Sequence, residues 1–94
     1  MIKHIVIWKL KEDAKREDVL KLYELSKTLK NIKGIVSVEF HVEPAAGSTH
    51  DMCLVSVHNT IEELEAYQVD PIHVEFGRNL KPLVCERVAY NFEY

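Results

Sequence analysis

Two cysteines, three prolines and three glycines among 94 residues are too few for a disulfide scaffold, a collagen-like repeat or a loop-dominated chain. Cys53 and Cys85 lie in separate apolar, strand-like runs with no CxxC pair, so they read as reduced core thiols. A basic block is also missing. Twelve Lys and Arg against fifteen Asp and Glu give a formal charge of −3, which excludes the electrostatic footprint of a nucleic-acid binder. The apolar opening from Met1 to Trp8 is broken by Lys3 and followed by Lys9, Lys11 and Glu12, and it is too short for a signal h-region or a membrane span. The expectation is an untargeted cytoplasmic protein with no membrane partner. There is no Gly-rich phosphate loop and no Ser or Cys nucleophile motif. His41, His50 and His58 are scattered without metal-ligand spacing, so neither a metal nor another cofactor is expected.

What remains is ordinary globular material, 47% hydrophobic and 29% charged, in a length that suits one domain over residues 1–94. A chain this short buries only about 60% of its unfolded surface, so a second subunit covering further apolar area would stabilise it. Along the chain, hydrophobic periodicity changes several times. Residues 2–10 alternate with a period of two and predict a strand, apolar on both faces at its middle. From about Ala14 to Lys33, Val19, Leu22, Leu25, Leu29 and Ile32 recur at three- and four-residue steps, which predicts an amphipathic helix stopped by Gly34.

Alternation returns over 35–43, with Val36, Val38, Phe40 and Val42 on one side, and again from Met52 to Val57 after the turn-rich stretch Pro44–Ser48. Thr60-Ile61-Glu62-Glu63 matches a capping box and starts a second helix. Asp70-Pro71 provides an N-cap and first-turn residue for another helical piece through about Leu80, leaving a corner at 68–71. Leu83 to Tyr94 closes the chain as a strand. This βαββαβ order is that of a ferredoxin-like α+β unit, in which the helices cover one face of a four-stranded antiparallel sheet. If His4, Val6 and Trp8 face the helices, then Ile5, Ile7, Cys53, Val55, Val57 and Leu83 face away and need a cover. Stacking two sheets face to face in a homodimer, through Ile5, Ile7, Val55 and Val57, would supply it.

The opening Met1-Ile2-Lys3-His4-Ile5-Val6-Ile7-Trp8-Lys9-Leu10-Lys11 and the late Tyr67-Gln68-Val69-Asp70-Pro71-Ile72-His73-Val74, with Ile32-Lys33-Gly34-Ile35 between them, resemble the stress-responsive A/B barrel family. The resemblance covers nearly the whole chain outside residues 44–50. It implies a dimeric α+β barrel, and it implies a cleft between helices and sheet. Most such proteins have no assigned reaction. A plant branch closes linear polyketides by cofactor-free aldol chemistry with a Tyr and a His, and the positions that match are Tyr67 and His73. Asp70 stands where many relatives carry a further His before the Pro.

The chemistry of that pair can be argued independently. Removing a proton beside a carbonyl needs a base titrating near neutrality, and stabilising the enolate needs a hydrogen-bond donor, roles that suit an imidazole and a phenol. By resemblance His4 lines the pocket, and Trp8, Tyr23 and Phe76 supply apolar and aromatic walls. Each of these side chains also has a purely structural explanation as a core residue. The sequence thus leaves three readings: a homodimeric binder of a small, largely apolar molecule, a cofactor-independent cyclase using His73 and Tyr67, and a cofactor-free monooxygenase-like or haem-binding barrel.

Overall fold

The computed structural model describes residues 1–94. Strand β1 (Ile2–Leu10) is followed by helix α1 (Arg16–Ser26), a 3-10 turn (Lys27–Asn31), strands β2 (Ile35–His41) and β3 (Met52–His58), helices α2 (Ile61–Val69) and α3 (Pro71–Leu80), a second 3-10 turn (Lys81–Leu83), and strand β4 (Val84–Glu93). The four strands form one antiparallel sheet in the order β2-β3-β1-β4, the ferredoxin-like arrangement the periodicity predicts. The helices cover one face. Ile2, His4, Val6 and Trp8 of β1 and Met52, Leu54, Ser56 and His58 of β3 are buried beneath them, as a period of two requires. Phe40 joins Trp8 and Phe76 through edge-to-face contacts, with ring centroids 6.2 and 5.3 Å apart.

Three local details depart from expectation. The first helix ends at Ser26, not near Lys33. The Ser26 hydroxyl donates to the Tyr23 carbonyl and Thr28 Oγ1 donates to the Leu25 carbonyl, and the following residues tighten into the 3-10 turn. Leu29 and Ile32 still reach the core. In β2 the pairing slips between Ile35 and Ser37, so Ile35 packs on the core while Val36 is exposed. A similar slip opposite Lys9 and Leu10 brings Val84 against the core, and Leu83, in the preceding turn, packs there too and not on the outer sheet face.

The helix starts follow their signals. Thr60 Oγ1 accepts from the Glu63 amide at 3.2 Å, and Asp70 Oδ1 accepts from the Ile72 amide at 2.9 Å. Asp70 thereby ends α2 and caps α3, which makes the corner at 68–71 a defined turn between two helices. Gly34 has a φ of 87°, a left-handed conformation suited to the turn between the 3-10 segment and β2.

Candidate functional site

Strand β4 lies at the sheet edge beyond β1, and the helices do not extend over it. Its residues Arg87, Ala89 and Asn91, which pair with Trp8, Val6 and His4, share the helix-facing side of the sheet yet remain exposed. The uncovered strip leaves a cleft of about 190 Å³ between α3 and the β1–β4 half of the sheet. Val6, Trp8 and Leu54 form its floor with His4 among them, and His73, Phe76, Gly77 and Leu80 form the α3 wall. Gln68, Lys81 and Arg87 also border it.

His4 is 2% exposed, and its Nδ1 is hydrogen-bonded to Asn91 Oδ1. That bond leaves Nε2 as the unprotonated nitrogen of the neutral ring. Burial lowers the His4 pKa from 6.5, the Asn91 bond opposes the shift, and the Arg87 charge adds to it. His73 lies in the first turn of α3, directly after the Asp70-Pro71 cap. Its pKa is also lowered, chiefly by burial, against the opposing hydrogen bond to the Gln68 main chain. His4 and Arg87 lower it further, while Asp70 opposes them. Both shifts favour the neutral imidazole, the form that can accept a proton.

Tyr67 occupies the layer behind His73. It is 1% exposed, its ring centroid lies 4.6 Å from that of His73 and 4.7 Å from that of His58, and its hydroxyl is buried without a hydrogen-bond partner. Burial pushes the phenol up to about 12, with the Ser56 hydroxyl pulling the other way. Tyr67 thus supports the His73 ring and does not line the cleft. His58 is wholly buried at the end of β3, with Nε2 bonded to Ser56 Oγ at 2.8 Å. Burial lowers its pKa, helped by His4 and His73 and opposed by Glu63.

Of the residues expected at a pocket, His4, Trp8, His73 and Phe76 meet at this cleft. Tyr23 does not: it borders a separate groove between α1 and β2, with Leu20, Val38 and Phe40. Arg87, Asn91 and His58 were not expected at the site. The alternation of β3 places His58 on the same face as Leu54 and Ser56, which could have located it. Arg87 and Asn91 occupy the odd positions of β4, while the apolar even positions Val88, Tyr90 and Phe92 marked the strand. No group of three or more His, Cys, Asp and Glu side chains is placed to share a metal ion.

A ferredoxin-like sheet with a histidine-bearing cleft at the α3–β4 edge defines an α+β chain of the A/B-barrel type. The sequence matches the stress responsive A/B barrel domain family over residues 2–94, and the chain belongs to that family. A dimeric ferredoxin-like protein of unknown function from Bacteroides fragilis is 24% identical, with a TM-score of 0.84 over 99% of this chain and 95% of that one. A dimeric ferredoxin-like protein of unknown function from Thermobifida fusca is 23% identical, with a TM-score of 0.88 over 99% of this chain and 90% of its own. A hydroxynitrile lyase from Passiflora edulis shares the fold at 13% identity, with a TM-score of 0.81 over 97% and 90% of the two chains. Comparison with curated proteins finds no match. No helix is long and apolar enough to cross a membrane.

Proposed function

We propose that this chain is a homodimeric binder of a small, largely apolar molecule, held in the cleft between α3 and the β1–β4 edge. The observation that carries this reading is the composition of the cleft, an apolar floor of Val6, Trp8 and Leu54 interrupted by the imidazoles of His4 and His73. Its volume suits a single ring, since a cavity of about 150 Å³ accommodates benzene, and a tetrapyrrole is several times larger. Free Cys53 and Cys85 accord with a cytoplasmic setting.

A second reading is cofactor-free proton transfer at an enolisable carbonyl, as in the aldol cyclases of the family. It is favoured by two neutral imidazoles lining one cleft. In this reading His73 takes the proton and the buried Tyr67 ring holds His73 in place. The Tyr67 phenol, at about 12 and enclosed, is a poor acid for the step. That a hydroxynitrile lyase is among the proteins sharing the fold supports this second reading.

The test is an NMR titration with acetophenone, following the imidazole signals. His4 and His73 shift while the outlying His41 and His50 do not; unchanged His4 and His73 signals at saturating ketone would sink the binding reading. Deuterium incorporation at the acetophenone methyl, abolished in His73→Ala with binding retained, separates the enzyme from the binder. Exchange at the rate of protein-free buffer removes the second reading.

A further inference from the structure

We propose that the cleft selects small amphipathic carboxylates, with Arg87 and Lys81 recognising the anionic head while the apolar floor takes the remainder. The inference rests on the cleft being a ligand site and specifies the class of ligand. Arg87 and Lys81 border the same cleft, and no acidic side chain lines it. Neither cation is in a salt bridge, as is true of most Lys and Arg in the chain, so what sets these two apart is their place at the cleft. Glu86, the chain neighbour of Arg87, pairs with Lys9 on the opposite face of the sheet, and its carboxylate is bonded to His50. Two cations without a carboxylate partner thus border one largely apolar cleft.

Charge and geometry also specify the anion. Lys81 directly follows the last residue of α3, where the helix dipole is negative and favours a cation. The amino end of α3 lies at Pro71, at the opposite end of the helix from Lys81, and its Ile72 amide is already taken by Asp70, so no main-chain phosphate cradle joins the two cations. A planar guanidinium with an ammonium can hold one carboxylate, and the apolar floor beside them suits the remainder of an amphipathic acid. The Arg87 charge already reaches both cleft imidazoles and lowers their pKa. A bound carboxylate would offset that charge, so ligand binding would raise the basicity of His4 and His73.

The experiment compares phenylacetate with phenylacetamide by isothermal titration calorimetry, using the wild-type protein and the double variant Arg87→Gln/Lys81→Gln. Wild type binds the acid about fivefold or more tightly than the amide, as two solvated ion pairs allow, and added salt narrows the gap. In the variant the gap closes with amide affinity unchanged. Equal affinity for acid and amide in wild type overturns the carboxylate proposal and leaves the cleft as a neutral-ligand site. A preference that survives in the variant overturns it as well, as does loss of amide binding there, because the side chains would then shape the cleft without reading charge. If neither compound binds at millimolar concentration, the binding reading falls together with the proposal.

Discussion

Two buried histidines and the half-buried His73 give the site its pH dependence. His4, His58 and His73 all titrate below 6.5 in the folded chain, each chiefly because burial penalises the imidazolium. The unfolded chain binds protons at these positions more readily, so stability increases with pH in that window. The contribution is complete above about pH 7 and is lost as pH falls through the depressed folded values. Urea unfolding at pH 7.5 and 5.0 should show a lower midpoint at the acid pH, and a midpoint that rises on acidification would contradict the burial argument. His58 and Tyr67 also show why a residue's role was hard to read in sequence. Both are polar at the tip and apolar along the ring, and only burial fixes which part matters. The Tyr67 hydroxyl, chemically the natural donor for His73, is enclosed without a partner.

At the scale of elements, the corner between α2 and α3 positions the site. Asp70 closes α2, caps α3 through the Ile72 amide, and exerts a favourable charge effect on His73 two residues beyond Pro71. Asp70→Ala should cost about 1 kcal/mol of stability through the lost cap. It should also lower the His73 pKa further, since an opposing charge is removed. Urea denaturation checks the first effect and the His73 NMR titration the second; an unchanged His73 titration with a lower urea midpoint would leave Asp70 with a capping role alone. These helix starts were legible because capping needs particular side chains at fixed offsets. The early end of α1 was not, because the local bonds of Ser26 and Thr28 to main-chain carbonyls tighten the chain without interrupting the hydrophobic periodicity.

Over the whole molecule, the sheet face away from the helices remains open. Ile5 and Ile7 are flanked by Val55 and Cys53 on one side and by Tyr90 and Val88 on the other. Val88, Tyr90 and Tyr94 are exposed, and the Lys3 ammonium lies 5.9 Å from the Phe92 ring centroid and 5.2 Å from that of Tyr94. Such a face needs a cover, and a second copy of the chain satisfies it, as in the homodimer proposed above. Ile5→Glu places a carboxylate at the centre of this face and should convert the dimer to monomers in sedimentation velocity without altering the helix-covered core. A variant that sediments as the wild type does would remove Ile5 from the interface.

The sequence by itself determined the order of elements, the side of β1 and β3 that meets the helices, and the apolar character of the open face. These follow from periodicity and capping, which act between near neighbours along the chain. The tertiary structure alone decided that Tyr23 lies apart from the cleft, that Tyr67 supports it from behind, that His58 is buried against Tyr67, that Arg87 borders the site and that Asn91 holds its His4. Those relations join residues from β1, β3, β4 and the α2–α3 corner. Sequence spacing carries no information on how far the helices extend over an edge strand; packing sets that distance, and the uncovered strip over β4 is where the cleft forms.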